Sequence, residues 1–156
     1  MAFKDHFSSQ SVAYSRYRPE YPAALIRYVA SLAPDRRFAI DCATGNGQAA
    51  VVLAEHFETV LAVDGSRSQL ARAQAHGRVH YAASLAERLP LRDRSVSLVA
   101  AAQAAHWFDF DRFHAECRRV LVPNGVVALW TYEKFRVDTR VDAVIDQFYS
   151  AVVGPY

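Results

Sequence analysis

From Phe38 onward, five short apolar runs alternate with stretches of helical period, and this alternation constrains the fold more than any other feature of the chain. The runs are RFAIDC (37–42), TVLAVD (59–64), and residues 78–83, 95–101 and 125–132. Between the first two, Ala50, Leu53, Ala54 and Phe57 recur at i, i+3, i+4, i+7, the spacing of one buried helix face. The run Ser95–Ala101 is apolar enough to be covered on both sides, as a strand inside a parallel sheet must be. Strands alternating with crossover helices predict an α/β fold, an open parallel sheet with helices on both faces.

Boundaries follow from turn chemistry. Pro22 opens a helix to Leu32, Ser66 caps a helix that runs to Gly77, and a helix covers Phe110–Leu121. Asp109 and Asp111 read as caps of that helix. Pro123, Asn124 and Gly125 then end it, with glycine taking the reversed backbone angle, and a last helix spans Asp138–Val152. A chain of 156 residues is one domain, divided here into an arm (1–21) and a core (22–156).

Several classes are excluded early. A net charge of +2 is too even for a nucleic-acid footprint. The longest apolar stretch, Val96–Ala105, is too short to span a bilayer, so no membrane partner is expected. MAFKDHFSSQ lacks the apolar segment of a secretory signal, which predicts a cytoplasmic protein. Cys42 and Cys117 form no CxxC and have no clustered histidines, so both read as buried thiols and no metal site is expected.

In an open parallel sheet the ligand crevice lies at the carboxyl ends of the strands, which directs attention to DCATGNGQ (41–48). Gly45 and Gly47 flank a bend where the backbone can approach a bound group and present amides to it. Asp64, about 17 residues past Gly47, ends the second strand where a carboxylate can bind ribose hydroxyls, with Gly65 and Ser66 beside it. These features indicate an adenosine ligand. Gly45–Ala50 also satisfies a GxGxxA dinucleotide pattern, leaving a nicotinamide-dependent oxidoreductase as an alternative. A carboxylate at Asp41 would repel a pyrophosphate and attract the ammonium and sulfonium charges of S-adenosylmethionine, which favours the latter.

Asp41, Gly45, Gly47 and Asp64 resemble the first motif and second-strand acid of class I S-adenosylmethionine-dependent methyltransferases, with Ala43 at the position of the motif's first glycine. YAASLAERLPLRDRSVSLV looks like the family's next region, with Leu85 where an acidic residue often reads the adenine amine. Adenine recognition would then fall to backbone near Ala86, to Glu87 and to apolar contact from Leu85. QAAHWFDFDRFHAECRRVLVPNGVVALWTY, beginning at Gln103, is similar to a type-11 subset that includes trans-aconitate methyltransferase-like proteins, and with YRPEYP the resemblance covers nearly the whole chain. It implies a Rossmann-like fold, S-adenosylmethionine as cofactor with S-adenosylhomocysteine as product, and a small-molecule acceptor.

The resemblance also puts His106 on the substrate side, as a candidate general base, with Trp107 able to line the pocket. Tyr14, Arg16 and Arg18 interleave aromatic and cationic groups suited to a lid or to gripping an acidic acceptor, and a carboxylate acceptor would need no base. Full-length relatives continue with further C-terminal strands that this chain is expected to lack. The fifth strand would then present an unpaired apolar edge, an expected site of pairing with a second copy. The alternative to an active enzyme is a truncated cofactor-binding core acting as an interaction or dimerising unit.

Overall fold

A computed structural model of the chain describes residues 21–132 and 136–153. Helix α1 (Ala23–Leu32) opens after Pro22, whose carbonyl accepts the amides of Leu25 and Ile26. Then come β1 (Phe38–Cys42), α2 (Gln48–Leu53), β2 (Thr59–Asp64), α3 (Arg67–Leu70), β3 (Val79–Ala83) and β4 (Val96–Ala102). A 3-10 turn (Ala105–Trp107) leads to α4 (Phe110–Val120), β5 (Leu121–Trp130) and α5 (Thr139–Phe148), which passes into a π-helical turn at Tyr149–Val153.

The five strands form one parallel, Rossmann-like sheet in the order β3-β2-β1-β4-β5. The order reverses at β1, which pairs with β2 on one side and β4 on the other, so the crevice lies between the turns after β1 and β4. On one face, Ile26, Val29 and Ala30 of α1 and Ala50, Leu53, Ala54 and Phe57 of the α2 region cover Ala39, Val60, Ala62 and Leu98. On the other, Phe113, Cys117 and Val120 of α4 cover Ile40, Val63, Val96 and Val99. Every residue of β4 is buried, as its composition predicts. Each large side chain buried this way contributes about 1.5–3 kcal/mol. Both cysteines are buried free thiols, and burial pushes Cys117 up to about 12.

Four expectations change. The helix after Ser66 ends at Leu70, well short of Gly77. The segment is held instead by long-range bonds: Gln74 N–H donates to the Asn46 carbonyl (3.0 Å) and Tyr81 Oη donates to the Gln74 carbonyl (2.7 Å). Ser66 occupies the cap position, but its hydroxyl pairs with Ser68 rather than with a helix amide. Asp109, not Asp111, caps α4, accepting Arg112 N–H. The helix expected to carry Ala50, Leu53, Ala54 and Phe57 ends at Leu53, so Ala54 and Phe57 lie beyond it, whereas the last helix, capped by Asp138, continues as a π-helical turn to Val153, as its expected span implied.

The turn at Pro123–Gly125 is also built differently. It forms an irregularity inside β5, where the pairing jumps from Val96↔Leu121 to Leu98↔Val126. Asn124 takes the left-handed angle (φ 62). Gly125 is needed for space, since a Cβ there would lie 2.8 Å from Leu121 Cδ2 and 2.9 Å from the Val122 carbonyl. Beyond it, Val127 and Leu129 are each 38% exposed on the edge strand. Gly125→Ala should therefore cost about 1–3 kcal/mol by overpacking, read from urea unfolding.

An ionic clamp fixes the loop between β3 and β4 to α4. Glu116 accepts Leu89 N–H (2.6 Å), and Arg119 donates to Glu116, to the carbonyls of Leu89 and Leu91, and to Asp93. The hydrogen bond from Arg119 is the main reason the Glu116 carboxyl lies below its ordinary range, and the Leu89 amide adds to it against the opposing effect of burial. A depressed carboxylate stabilises the fold above its unfolded value near 4.3 and loses that contribution as pH falls through the folded value. Glu116→Gln should thus be less stable than the parent by about 2 kcal/mol at pH 7, with the gap closing progressively below about pH 4; urea unfolding at pH 7 and pH 3 checks the sign.

Candidate functional site

The turn after β1 is a run of left-handed backbone angles: Ala43 (φ 53), Gly45 (φ 58) and Gly47 (φ 87). Thr44 between them is buried, and its hydroxyl donates to Asp41 Oδ2 at 2.5 Å while its amide donates to the Val63 carbonyl. Asp41, 1% exposed, is therefore fixed at the carboxyl end of β1, between Ala62 of β2 and Ala100 of β4. Ala43, at the position of the motif's first glycine, takes a left-handed angle, at a cost in backbone strain.

Asp64 joins the two turns. One carboxylate oxygen accepts Gly45 N–H (2.8 Å) and the other accepts Ser66 N–H (2.7 Å). The residue is only 9% exposed, and its backbone carbonyl accepts Ser84 N–H, which brings in the loop after β3. Sequence reasoning found Asp64 by spacing but did not anticipate that its carboxylate would hold the glycine turn.

Gly47 serves a neighbour within the fold. A Cβ at this position would collide with Tyr81 Oη, so the missing side chain makes room for the tyrosine ring of β3. Burial, and secondarily the charge of Asp41, raises the Tyr81 phenol above its ordinary value. Tyr81 was not among the expected site residues. Its sequence signal is slight: an aromatic residue in β3 whose partner is a glycine far upstream.

On the loop after β3, Ala86 is buried, Leu85 is 46% exposed, and Glu87 Oε1 accepts Asp109 N–H at 2.9 Å. Gln103 ends β4 in a left-handed conformation (φ 58), its amide bonded to the Trp130 carbonyl and its side chain to Thr131 and Tyr132. His106 and Trp107 follow on the exposed 3-10 turn, their rings 4.9 Å apart. Tyr14, Arg16 and Arg18 lie outside the described residues. Among the described residues no group of three His, Cys, Asp or Glu side chains converges as a metal site, and no helix is long and apolar enough to cross a membrane.

This donor set fits an adenosylated sulfonium compound. Asp64 offers a fixed carboxylate for a ribose diol, the left-handed turn presents backbone at the crevice, and Leu85 offers an apolar surface for a base. A carboxylate at the Asp41 position would disfavour a diphosphate and favour a cation.

The chain is similar in sequence and fold to known methyltransferases. A family model described as a methyltransferase domain matches residues 40–129. A Dictyostelium discoideum protein described as a methyltransferase is 36% identical over 155 residues, 97% of this chain and 59% of its own. A malonyl-[acyl-carrier protein] O-methyltransferase of Marinomonas sp. is 34% identical over 134 residues, 80% of this chain and 49% of its own. The structure of a type II methyltransferase from Anaeromyxobacter dehalogenans superposes with a TM-score of 0.81 at 49% identity, covering 89% of this chain and 59% of that one. The chain thus spans about half to three-fifths of the length of these relatives.

Strain at Ala43 yields a direct prediction. Ala43→Gly should relieve the left-handed cost and stabilise the fold by about 1 kcal/mol after the entropy of an added glycine, seen as a higher urea midpoint with an unchanged slope.

Proposed function

The chain belongs to the methyltransferase domain family, and on that premise we propose that it binds S-adenosylmethionine in the crevice between the turns after β1 and β4 and directs its methyl group to a small-molecule acceptor. The observation that supports this best is the Asp64 carboxylate, buried at the end of β2 and bonded to both Gly45 and Ser66 amides. In this reading Asp64 holds the ribose, the 43–47 turn with Gly65 and Ser66 lines the nucleoside, and Leu85 and Ala86 receive the adenine. Asp41 contributes negative potential on the methionine side, and Gln103 closes the opposite wall.

When bound, the cofactor supplies a methyl group made electrophilic by its sulfonium. The chain's own residues then provide position, exclusion of water and a negative field, which is most of what an in-line displacement asks of a protein. His106 and Trp107, on the turn that leaves β4, face the acceptor in this reading. The resemblance to trans-aconitate methyltransferase-like proteins and the similarity to an O-methyltransferase both favour an oxygen acceptor, a carboxylate among them. Such an acceptor is ionised at neutral pH and needs no base, so His106 would orient it; a neutral hydroxyl would use His106 to accept its proton.

Calorimetric titration with S-adenosylhomocysteine tests the binding half. The wild-type chain should bind, and Asp64→Asn should lose about tenfold or more in affinity, the scale of a hydrogen bond to a charged group, with an unchanged far-ultraviolet circular dichroism spectrum. A wild-type chain that does not bind, or an Asp64→Asn chain that binds equally well, overturns the assignment. Mass spectrometry of small-molecule extract incubated with methyl-labelled cofactor then reports the acceptor.

A further inference from the structure

The start of α4 is capped from a distant part of the chain. In the usual reciprocal arrangement the cap side chain accepts the amide of the third helical residue, and an acidic or amide side chain at that third position reaches back to the cap residue's own amide. Here Asp109 Oδ1 accepts Arg112 N–H (3.3 Å), which completes the first half. The third position is Arg112, whose guanidinium has no acceptor to return the bond. Glu87, from the loop after β3, supplies it: its Oε1 accepts Asp109 N–H at 2.9 Å.

The residues on either side of this bond make its position informative. Upstream, the Ser84 amide donates to the carbonyl of Asp64, and the loop is closed on itself by Ser84 Oγ to Arg88 O (2.6 Å) and Arg88 N to Leu85 O (3.2 Å). Downstream, Asp109 directly follows Phe108 and the 3-10 turn of His106 and Trp107, and Phe108 packs on Phe113 of α4 at 4.8 Å. A continuous path therefore runs from Asp64 through residues 84–88 and Glu87 to Asp109 and the turn before it. We infer that Glu87 is a positioning residue: it latches the acceptor-side turn 105–109 to the cofactor-side loop 84–88, so that ordering of the loop by a bound nucleoside is transmitted to the turn.

This inference rests on the cofactor reading above, and the bond also has a plain structural use as a helix cap. Two variants separate the uses. Glu87→Ala removes both the cap and the latch. Adding Arg112→Glu to it rebuilds a local capping box within α4 while leaving the latch absent.

Amide hydrogen exchange is measured with and without S-adenosylhomocysteine at concentrations that saturate each protein by calorimetry. In the wild type, the ligand should slow exchange in 84–88 and, by at least fivefold, in 105–109. In Glu87→Ala, 84–88 should still respond while 105–109 does not. In Glu87→Ala/Arg112→Glu, exchange at Asp109 without ligand should return to the wild-type rate, and 105–109 should remain unresponsive. A ligand response at 105–109 that persists in the double variant overturns the latch, as does its absence in a wild-type chain that binds. A wild-type chain that fails to bind overturns the cofactor reading and the latch with it, a result distinct from binding without transmission.

Discussion

The carboxylate of Asp64 is the interaction on which the rest of this molecule depends. It accepts the amide of Gly45 from the turn after β1 and the amide of Ser66 from the turn after β2, so two loops that meet at the reversal of strand order are fixed to one side chain. The β1 turn carries three left-handed residues, one of them an alanine, and such a backbone persists only where its surroundings over-determine it. Asp64 on one side, the Thr44–Asp41 bond beneath and Tyr81 over Gly47 supply that determination. In the proposed assignment, a nucleoside would meet contacts already oriented, which would keep the ordering cost of binding low.

The two faces of the sheet divide the remaining work. The face covered by α1 and α2 is almost wholly apolar packing beneath the β1 turn. The face covered by α4 combines packing with polar ties, and nearly all of those ties reach the loop between β3 and β4: Glu116 and Arg119 at its far end, Glu87 and Asp109 at its near end. One helix thereby holds the loop assigned to the adenine and begins immediately after the turn assigned to the acceptor. The geometry of methyl transfer, in which two reactants must be aligned to within a fraction of an ångström, benefits from such a shared support.

What the sequence made legible was set by local chemistry. TVLAVD is a strand at the boundaries its composition implied, and Ala50, Leu53, Ala54 and Phe57 are each at most 1% exposed, although the helix itself stops at Leu53. Asp64 was found from its spacing to the glycines, because that spacing is fixed by one helix and one strand. What was not legible depends on partners remote in sequence. The segment after Leu70 is held by remote partners, its Gln74 amide donating to the Asn46 carbonyl and its Gln74 carbonyl accepting Tyr81 Oη–H. That Gly47 also makes room for the Tyr81 ring was hidden, because that neighbour lies two strands away. The bond that Glu87 accepts from Asp109 N–H was equally hidden, because its partner lies at the start of a helix beyond β4.

Whether the Asp64 carboxylate receives the ribose of a sulfonium nucleoside can be seen in a crystal structure of the chain soaked with S-adenosylhomocysteine. The ribose hydroxyls should lie within hydrogen-bonding distance of the Asp64 carboxylate, with the Gly45 and Ser66 amides still donating to it. Density for the nucleoside elsewhere on the molecule, with Asp64 bonded as before and untouched by ribose, contradicts it.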